Sequence, residues 1–382
     1  MTATLTDRSI KSEAYYLSGL TLTNFRNYKH LKLKTDSSPV VLTGENGAGK
    51  TNILEAISLL SPGKGVRKIK LSDADRLSES DKMPWSIVAD ISCGDEERRV
   101  GTGRVQLSDV KRIIKIDGDL IKGQAELAEI FSVMWLTPQM DGLFIGASSD
   151  RRKFLDRLVY NFDPEHASRI YSYEYTMRER AKLLQNNGDR SWLAVLENKM
   201  AERSVSIAAA RIDTINAIGH AISRSNTAFP KAVIGVEGIA EELVSNNSAL
   251  YSEEELRKAL FDARGRDAIT GRTSAGSHRS DFVVVHREKN MPAASCSTGE
   301  QKALLISIIL AEARAKAMWK GKVPVLLLDE VVAHLDEYRR RSLFDELLDM
   351  KAQVWMTGTD RSMFSYLEGS AQMLNVSAGF VE

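Results

Sequence analysis

Residues 44–51 read GENGAGKT, the pattern G-x-x-x-x-G-K-[ST]. Gly44, Gly47 and Gly49 let the backbone curl so that successive N–H groups point into one small volume, and a phosphate-sized anion is what such a cradle holds. Glu45, Asn46 and Ala48 complete the loop. Lys50 is placed to reach β- and γ-phosphates, and Thr51 to offer a hydroxyl to Mg²⁺. The expected ligands are therefore ATP and Mg²⁺. Such a loop needs a carboxylate partner for the ion. VPVLLLDE, residues 323–330, supplies one, as an apolar run leading into Asp329 and Glu330. Ligands of open α/β sheets bind at that end of a strand. Asp329 is expected to hold Mg²⁺ through water, and Glu330 to polarise an attacking water.

These groups work only if a strand, a loop and a helix place them. SPVVLTGENGAGKTNILEAISLL predicts all three in that order, and YLSGLTLTNFRNYKHLKLKT predicts two strands around a turn at Asn24–Tyr28. Residues 85–121 read as an antiparallel meander, with a hairpin at Asp117–Gly118 in IIKIDGDLI. VMWLTPQ is a further strand ending near Pro138. From about Asp150 to Asn226 the chain is nearly free of Pro and Gly. Ile212, Ile215, Ile218 and Ile222 fall on one helical face, and NNGD (186–189) separates two helical stretches. A helix over 253–264 follows, then a loop, ARGRDAITGRTSAGSHRSD. After residue 280 the pattern predicts a strand over 281–286, a helix, the acidic strand, a helix over 336–349 and a strand, QVWMTGT. The expected organisation is α/β, with residues 1–150 as the N-terminal part of an ATPase lobe. Residues 151–268 form a helical insert, and 269–382 the C-terminal part of the lobe.

Composition narrows the class. The 382 residues carry 52 Lys plus Arg against 51 Asp plus Glu, a net charge of +1. No global field draws the chain to nucleic acid, so DNA binding would rest on local patches. Two cysteines, Cys93 and Cys296, give no disulfide framework. The N-terminus lacks a signal-type apolar core, and the longest apolar run, Leu304–Ala311, is too short to span a bilayer. A soluble cytoplasmic protein is expected.

The stretch SCSTGEQKALLISIIL, residues 295–310, crowds Ser297, Thr298, Gly299, Glu300 and Gln301 at one helix start. It resembles the signature motif of ABC-type ATPases, which closes over ATP held by a second subunit. A helix N-terminus suits that task, because its free N–H groups favour negative charge. Leu335–Asp336 resembles the D-loop of that family, and Gln139 in LTPQMDGLF falls at the position of a Q-loop. No histidine follows QVWMTGT, where the family has its switch residue. Only Thr357, Thr359 and Asp360 stand there.

The separation of Lys50 from Asp329 is too long for a compact transporter domain and too short for the arms of SMC proteins. With LTLTNFRNY, RRKFLDRLV, SAGSHRSDF, STGEQKALLISIILAEA and LLLDEVVAHLDEYRR, the chain resembles the RecF family of bacterial recombination mediators over residues 20 to 340. Asp329–Glu330 departs from the paired aspartates of many relatives, although glutamate is the usual base of ABC-type enzymes. The resemblance implies an ABC-type P-loop ATPase head with a short SMC-like arm. It implies ATP-dependent dimerisation, weak binding to double-stranded DNA, slow hydrolysis as a release step, and cooperation with RecR and RecO in placing RecA at single-strand gaps. It also implies a part in DNA replication, repair and the SOS response. Lys64, Arg67, Lys68 and Lys70 are the expected DNA contacts. Arg151, Arg152, Lys153, Arg264, Arg266 and Arg272 add basic charge around the insert. Other classes compatible with the phosphate loop are a transporter ATPase subunit, another SMC-like ATPase and a small-molecule kinase.

Overall fold

The computed structural model describes residues 13–67, 70–76, 83–109, 111–121 and 124–382. The chain opens with β1 (Glu13–Phe25), β2 (Tyr28–Lys34) and β3 (Val40–Thr43), and the phosphate loop leads into α1 (Lys50–Ser58). The meander follows as β4 (Ser86–Cys93), β5 (Glu96–Gly103), β6 (Ile113–Ile116) and β7 (Asp119–Leu120), with Asp117 and Gly118 both at positive φ in the last turn. Next come α2 (Gln124–Ile130), β8 (Val133–Leu136), α3 (Ser148–Tyr160), α4 (His166–Gln185) and α5 (Arg190–Arg224). The chain continues through β9 (Ala232–Glu237), α6 (Ile239–Asn246), α7 (Ala249–Asp262), α8 (Arg264–Thr270), β10 (Asp281–His286) and β11 (Met291–Pro292). It ends with α9 (Thr298–Lys320), β12 (Lys322–Val323), β13 (Val325–Leu328), α10 (Glu337–Asp349), β14 (Val354–Gly358), β15 (Gln372–Ser377) and β16 (Phe380–Val381).

Two compact units emerge. The first comprises residues 1–140, 226–229 and 309–382, and the second 141–225 and 230–308. In the first unit, β3 is buried at every position, as a strand covered on both faces must be. It lies in a sheet ordered β16-β15-β3-β14-β13-β8, in which all pairs except β15–β16 are parallel. The loops after β3, β13, β14 and β8 therefore leave the sheet at one end. β14 separates β3 from β13, so the phosphate loop and the acidic pair flank the end of β14. The antiparallel meander builds on β1 and β4, and Leu22, Phe25, Tyr28, Ile53, Ile57 and Trp85 share one core with both sheets. Buried Gln353 ties them together, accepting from the N–H of Leu17 at 2.9 Å and donating to its carbonyl at 3.0 Å.

In the second unit, Asp189, the last residue of the predicted NNGD break, caps α5 by accepting from the N–H of Ser191 at 2.7 Å. Ile215, Ile218 and Ile222 are buried on the predicted face of α5, and Ile212 lies at its edge. Three findings differ from the sequence reading. The stretch predicted as a loop opens with α8, since Gly265 is tolerated in that short helix. The insert carries a small sheet, β11-β10-β9, that helical periodicity did not reveal. β10 pairs antiparallel with β9 rather than joining the main sheet, so residues 269–308 group with the helices and not with the C-terminal ATPase part.

Buried ion pairs hold this second unit. Arg211 bonds both carboxylate oxygens of Asp156, at 2.9 and 3.1 Å, and Glu241 at 3.0 Å. Arg180 reaches Glu197 at 3.0 Å and Asp267 at 2.8 Å. A half-buried pair joins Arg151 to Asp281 at two points, at 2.8 and 2.6 Å. RRKFLD and HRSD are thus partners in one scaffold.

Candidate nucleotide site

The phosphate loop has the backbone that its glycines predict. At Gly44 φ is 144°, and a Cβ there would stand 2.1 Å from the carbonyl oxygen of Val376 in β15. At Gly49 φ is 117°, and a Cβ would meet the amide of Asn27 at 2.4 Å and the Tyr28 hydroxyl at 2.6 Å. Only glycine satisfies both conformation and space at these two positions. The FRNY turn holds the loop from outside: the Asn27 amide donates to the Ala48 carbonyl at 3.0 Å and accepts from Asn52 at 2.8 Å. Arg26 is bonded to Glu55 in the middle of α1.

Lys50 is buried, and its ammonium donates to the carbonyls of Gly44 at 2.6 Å and Glu45 at 2.8 Å. Burial pulls its pKa below the ordinary lysine value, and the charges of Glu330 and Asp329 oppose that pull. Thr51 donates its hydroxyl proton to Asp329 Oδ1 at 3.0 Å. That direction leaves the lone pairs of the Thr51 oxygen available to a cation. A hydroxyl and a carboxylate in contact form an oxygen donor set that suits Mg²⁺, an ion that keeps several of its waters. Thr51 and Asp329 fit the metal implied by the sequence.

The acidic pair is fixed by its neighbours. The Asp329 N–H donates to the Leu136 carbonyl of β8 at 2.9 Å. Glu330 has φ of 53°, the left-handed region that a glutamate seldom adopts. Its N–H donates to Thr357 Oγ1 at 2.9 Å, and the Thr357 hydroxyl donates to Asp329 Oδ1 at 2.8 Å. Thr357 was among the residues standing where a histidine was expected. Its role depends on β14 lying beside β13, which no local pattern shows. Thr359 lines a cavity of about 380 Å³ with Thr43, Gly44, Glu45, Arg361 and Asn375. Asp360 instead caps its own turn, accepting from the N–H of Ser362 at 2.8 Å.

Gln139 is exposed in the turn after β8. Leu335 is buried, and Asp336 caps α10 by accepting from the N–H of Arg339 at 2.8 Å. Ser297 to Gln301 lie in the second unit. Ser297 and Glu300 form a capping box: the Glu300 carboxylate accepts from the Ser297 N–H at 2.9 Å, and the Glu300 N–H reaches the Ser297 hydroxyl at 3.4 Å. The Glu300 pKa is drawn down to about 2, first by a hydrogen bond from Lys289 and then by Ser297. Gln301 is buried and donates to the Cys296 carbonyl at 2.9 Å. Thr298 begins α9. Gly299 differs from Gly44 and Gly49, because a Cβ there would meet nothing within 4 Å among the described residues.

The basic residues divide. Lys64 and Lys70 are exposed, while Lys68 lies outside the described residues. Arg67 is held inward, bonded to Asn52 at 3.1 Å and Glu55 at 3.3 Å. Arg151 is held by Asp281, Arg152 by the Ser280 carbonyl and Arg264 by Glu197. Lys153 and Arg272 are exposed, and Arg266 bonds the Ser274 hydroxyl.

Residues 16–381 match the family described as RecF/RecN/SMC N terminal domain. A DNA replication and repair protein RecF of Brucella suis biovar 1 (strain 1330) is 47% identical over 366 residues, 94% of each chain. The protein so described from Agrobacterium fabrum (strain C58 / ATCC 33970) is 47% identical over 367 residues, 95% of this chain and 97% of its own. A solved structure of the recombination mediator protein RecF with ATP, described as in the RecFOR pathway, superposes with a TM-score of 0.83 at 24% identity. It covers 97% of this chain and 99% of its own. That similarity is one of fold.

Proposed function

This chain belongs to the RecF family and has the ABC-type ATPase fold, and from that premise we propose that it is an ATP-dependent DNA-binding protein of replication and recombinational repair. In this reading two copies close over ATP on double-stranded DNA at single-strand gaps. Slow hydrolysis then releases them. The names and the RecFOR description of its relatives support DNA, RecR-like and RecO-like proteins as partners, with RecA served indirectly. Among the described residues no helix is long and apolar enough to cross a membrane.

The observation that carries the reading is the contact of Thr51 with Asp329, which joins the phosphate loop to the acidic strand. Backbone N–H groups of residues 44–51 hold the phosphates, and Lys50 turns from the loop carbonyls toward the β- and γ-phosphates. Mg²⁺, held by Thr51 and Asp329, would neutralise phosphate charge. Glu330 orients the attacking water and takes its proton, and Gln139 reaches the same region when the site closes. Ser297, Thr298 and Gly299 face the ATP of the second copy. Open space beside Gly299 supports that role, since no neighbour among the described residues requires a glycine there. Leu335 and Asp336 lie along the seam between the copies.

Light scattering of the Glu330→Gln protein tests this. With ADP it is monomeric, with ATP it becomes a stable dimer, and with ATP plus duplex DNA it forms a heavier complex. Turnover falls by roughly 10²-fold or more, as expected when a general base is lost. A Glu330→Gln protein that stays monomeric in ATP would exclude ATP-driven dimerisation.

A further inference from the structure

We infer that Thr357 is a positioning residue for hydrolysis, its buried hydroxyl setting the backbone of Glu330 and the carboxylate of Asp329 together; this rests on the assignment of Glu330 proposed above. The geometry is specific. β14 lies between β3 and β13, with Thr357 paired to Leu42 of β3 and Met356 paired to Leu328 of β13. Thr357 thus stands level with the first residues beyond β13, and it is 1% exposed. Its oxygen accepts from the Glu330 N–H at 2.9 Å while its proton goes to Asp329 Oδ1 at 2.8 Å. One hydroxyl is used in both directions, which only serine or threonine provides at this size.

The same Asp329 oxygen accepts from Thr51 at 3.0 Å. Asp329 Oδ1 therefore joins two hydroxyls, one from the phosphate-loop helix and one from β14. Any shift of Asp329 is passed through Thr357 to the N–H of Glu330. Glu330 needs that anchor, because its left-handed φ of 53° is disfavoured for a residue with a Cβ and persists only when its surroundings hold it. A histidine at this end of the sheet would sense phosphate directly. Thr357 acts instead through the backbone of the acidic pair.

The test uses the full chain carrying Thr357→Val, Thr357→Ser, Thr357→Ala or Glu330→Gln, and the Glu330→Gln/Thr357→Val double variant. Steady-state ATPase rates, fluorescent-ATP affinity and melting temperature are measured on each. Thr357→Val lowers kcat by about 10–100-fold, the usual effect of losing an orienting partner. Its ATP affinity stays within about twofold of the parent, since the phosphate loop is untouched. Thr357→Ser, which keeps the hydroxyl, restores most of kcat, and Thr357→Ala behaves as the valine variant does. The double variant is no slower than Glu330→Gln, because the two residues act as a unit. Parental kcat in Thr357→Val or Thr357→Ala, a serine variant as slow as either, or further slowing in the double variant would overturn the inference. Glu330→Gln turning over at the parental rate would instead remove the base assignment itself.

Discussion

Arg26 and Glu55 form a two-point ion pair, with Nε to Oε2 at 3.0 Å and Nη2 to Oε1 at 2.7 Å, although Glu55 is wholly buried inside α1. Arg67 adds a longer contact of 3.3 Å to the same carboxylate. Arg26 itself stands at positive φ in the FRNY turn that grips the phosphate loop. The pair therefore joins the turn to the helix that carries Lys50 and Thr51. Arg26→Met leaves a buried carboxylate with one weaker partner. A loss of about 3 kcal/mol is expected, as for breaking buried pairs. Thermal and urea unfolding measure it, and an unchanged midpoint would contradict it.

The second prediction concerns Ser297, which both caps α9 and stands at the proposed dimer seam. The two roles separate by substitution. Glu300→Gln weakens the capping box and costs about 1 kcal/mol or less of stability, but leaves ATP-driven dimerisation intact. Ser297→Arg puts bulk and charge at the seam, so it binds ATP as a monomer and fails to dimerise. Lys50→Met fails earlier, at ATP binding. Mixed, the Ser297→Arg and Lys50→Met chains form one site with both partners intact, and some ATPase activity returns. A monomeric Ser297→Arg protein with full activity would reduce Ser297 to a helix cap.

For DNA, Arg67 is a poor probe because it is bonded to Glu55. Lys64 and Lys70 are the exposed members of the cluster. Reversing both to Glu should weaken ATP-dependent duplex binding and lower the slope of log affinity against log salt by about 2, near one for each phosphate that is no longer neutralised. ATP affinity should not move. An unchanged salt slope in fluorescence anisotropy would remove both lysines from the interface.

A pH effect follows from His278 of HRSD. Its Nε2–H donates to the Thr273 carbonyl at 2.9 Å, so Nδ1 accepts from the Tyr173 hydroxyl at 2.7 Å. Burial lowers its pKa below 6.5, the charges of Arg279 and Arg152 add to that, and the Thr273 bond opposes it. Below pH 6.5 the unfolded chain takes up a proton that the folded chain resists. The stability contributed by neutral His278 is therefore complete above that pH and is lost as pH falls through the folded value. The slope is at most about 1.4 kcal/mol per pH unit. Melting temperature measured from pH 7.5 to 5 should fall less steeply for His278→Gln than for the parent. Equal slopes would contradict the assignment.

The parts of the site that one short segment encodes were legible. GENGAGKT and VLLLDE carry strand-to-loop or loop-to-helix signals next to their chemistry, and STGEQ carries the helix-start signal that the capping box of Ser297 and Glu300 realises. What escaped the sequence depends on partners far along the chain. Arg67 and Arg151 look like free charge until Glu55 and Asp281 stand beside them. Thr357 is an ordinary strand residue until β14 lies between β3 and β13. The β9 strand, AVIGVE, is short, carries a glycine and pairs with a strand well downstream, so its alternation was lost beside the helices.

The neighbours of β3 have a consequence for how the protein is made. Val40–Thr43 is flanked by β14 and β15, and Gly44 closes against Val376. The strand that launches the phosphate loop therefore leaves the ribosome long before either strand that must cover it. At about 5–20 residues per second the gap lasts tens of seconds. During that time VVLT is an unpaired apolar edge and no anion cradle exists. A nascent chain stalled before β15 should neither retain ATP nor resist proteolysis at its N-terminal strands, and both properties should appear together once β15 has been released.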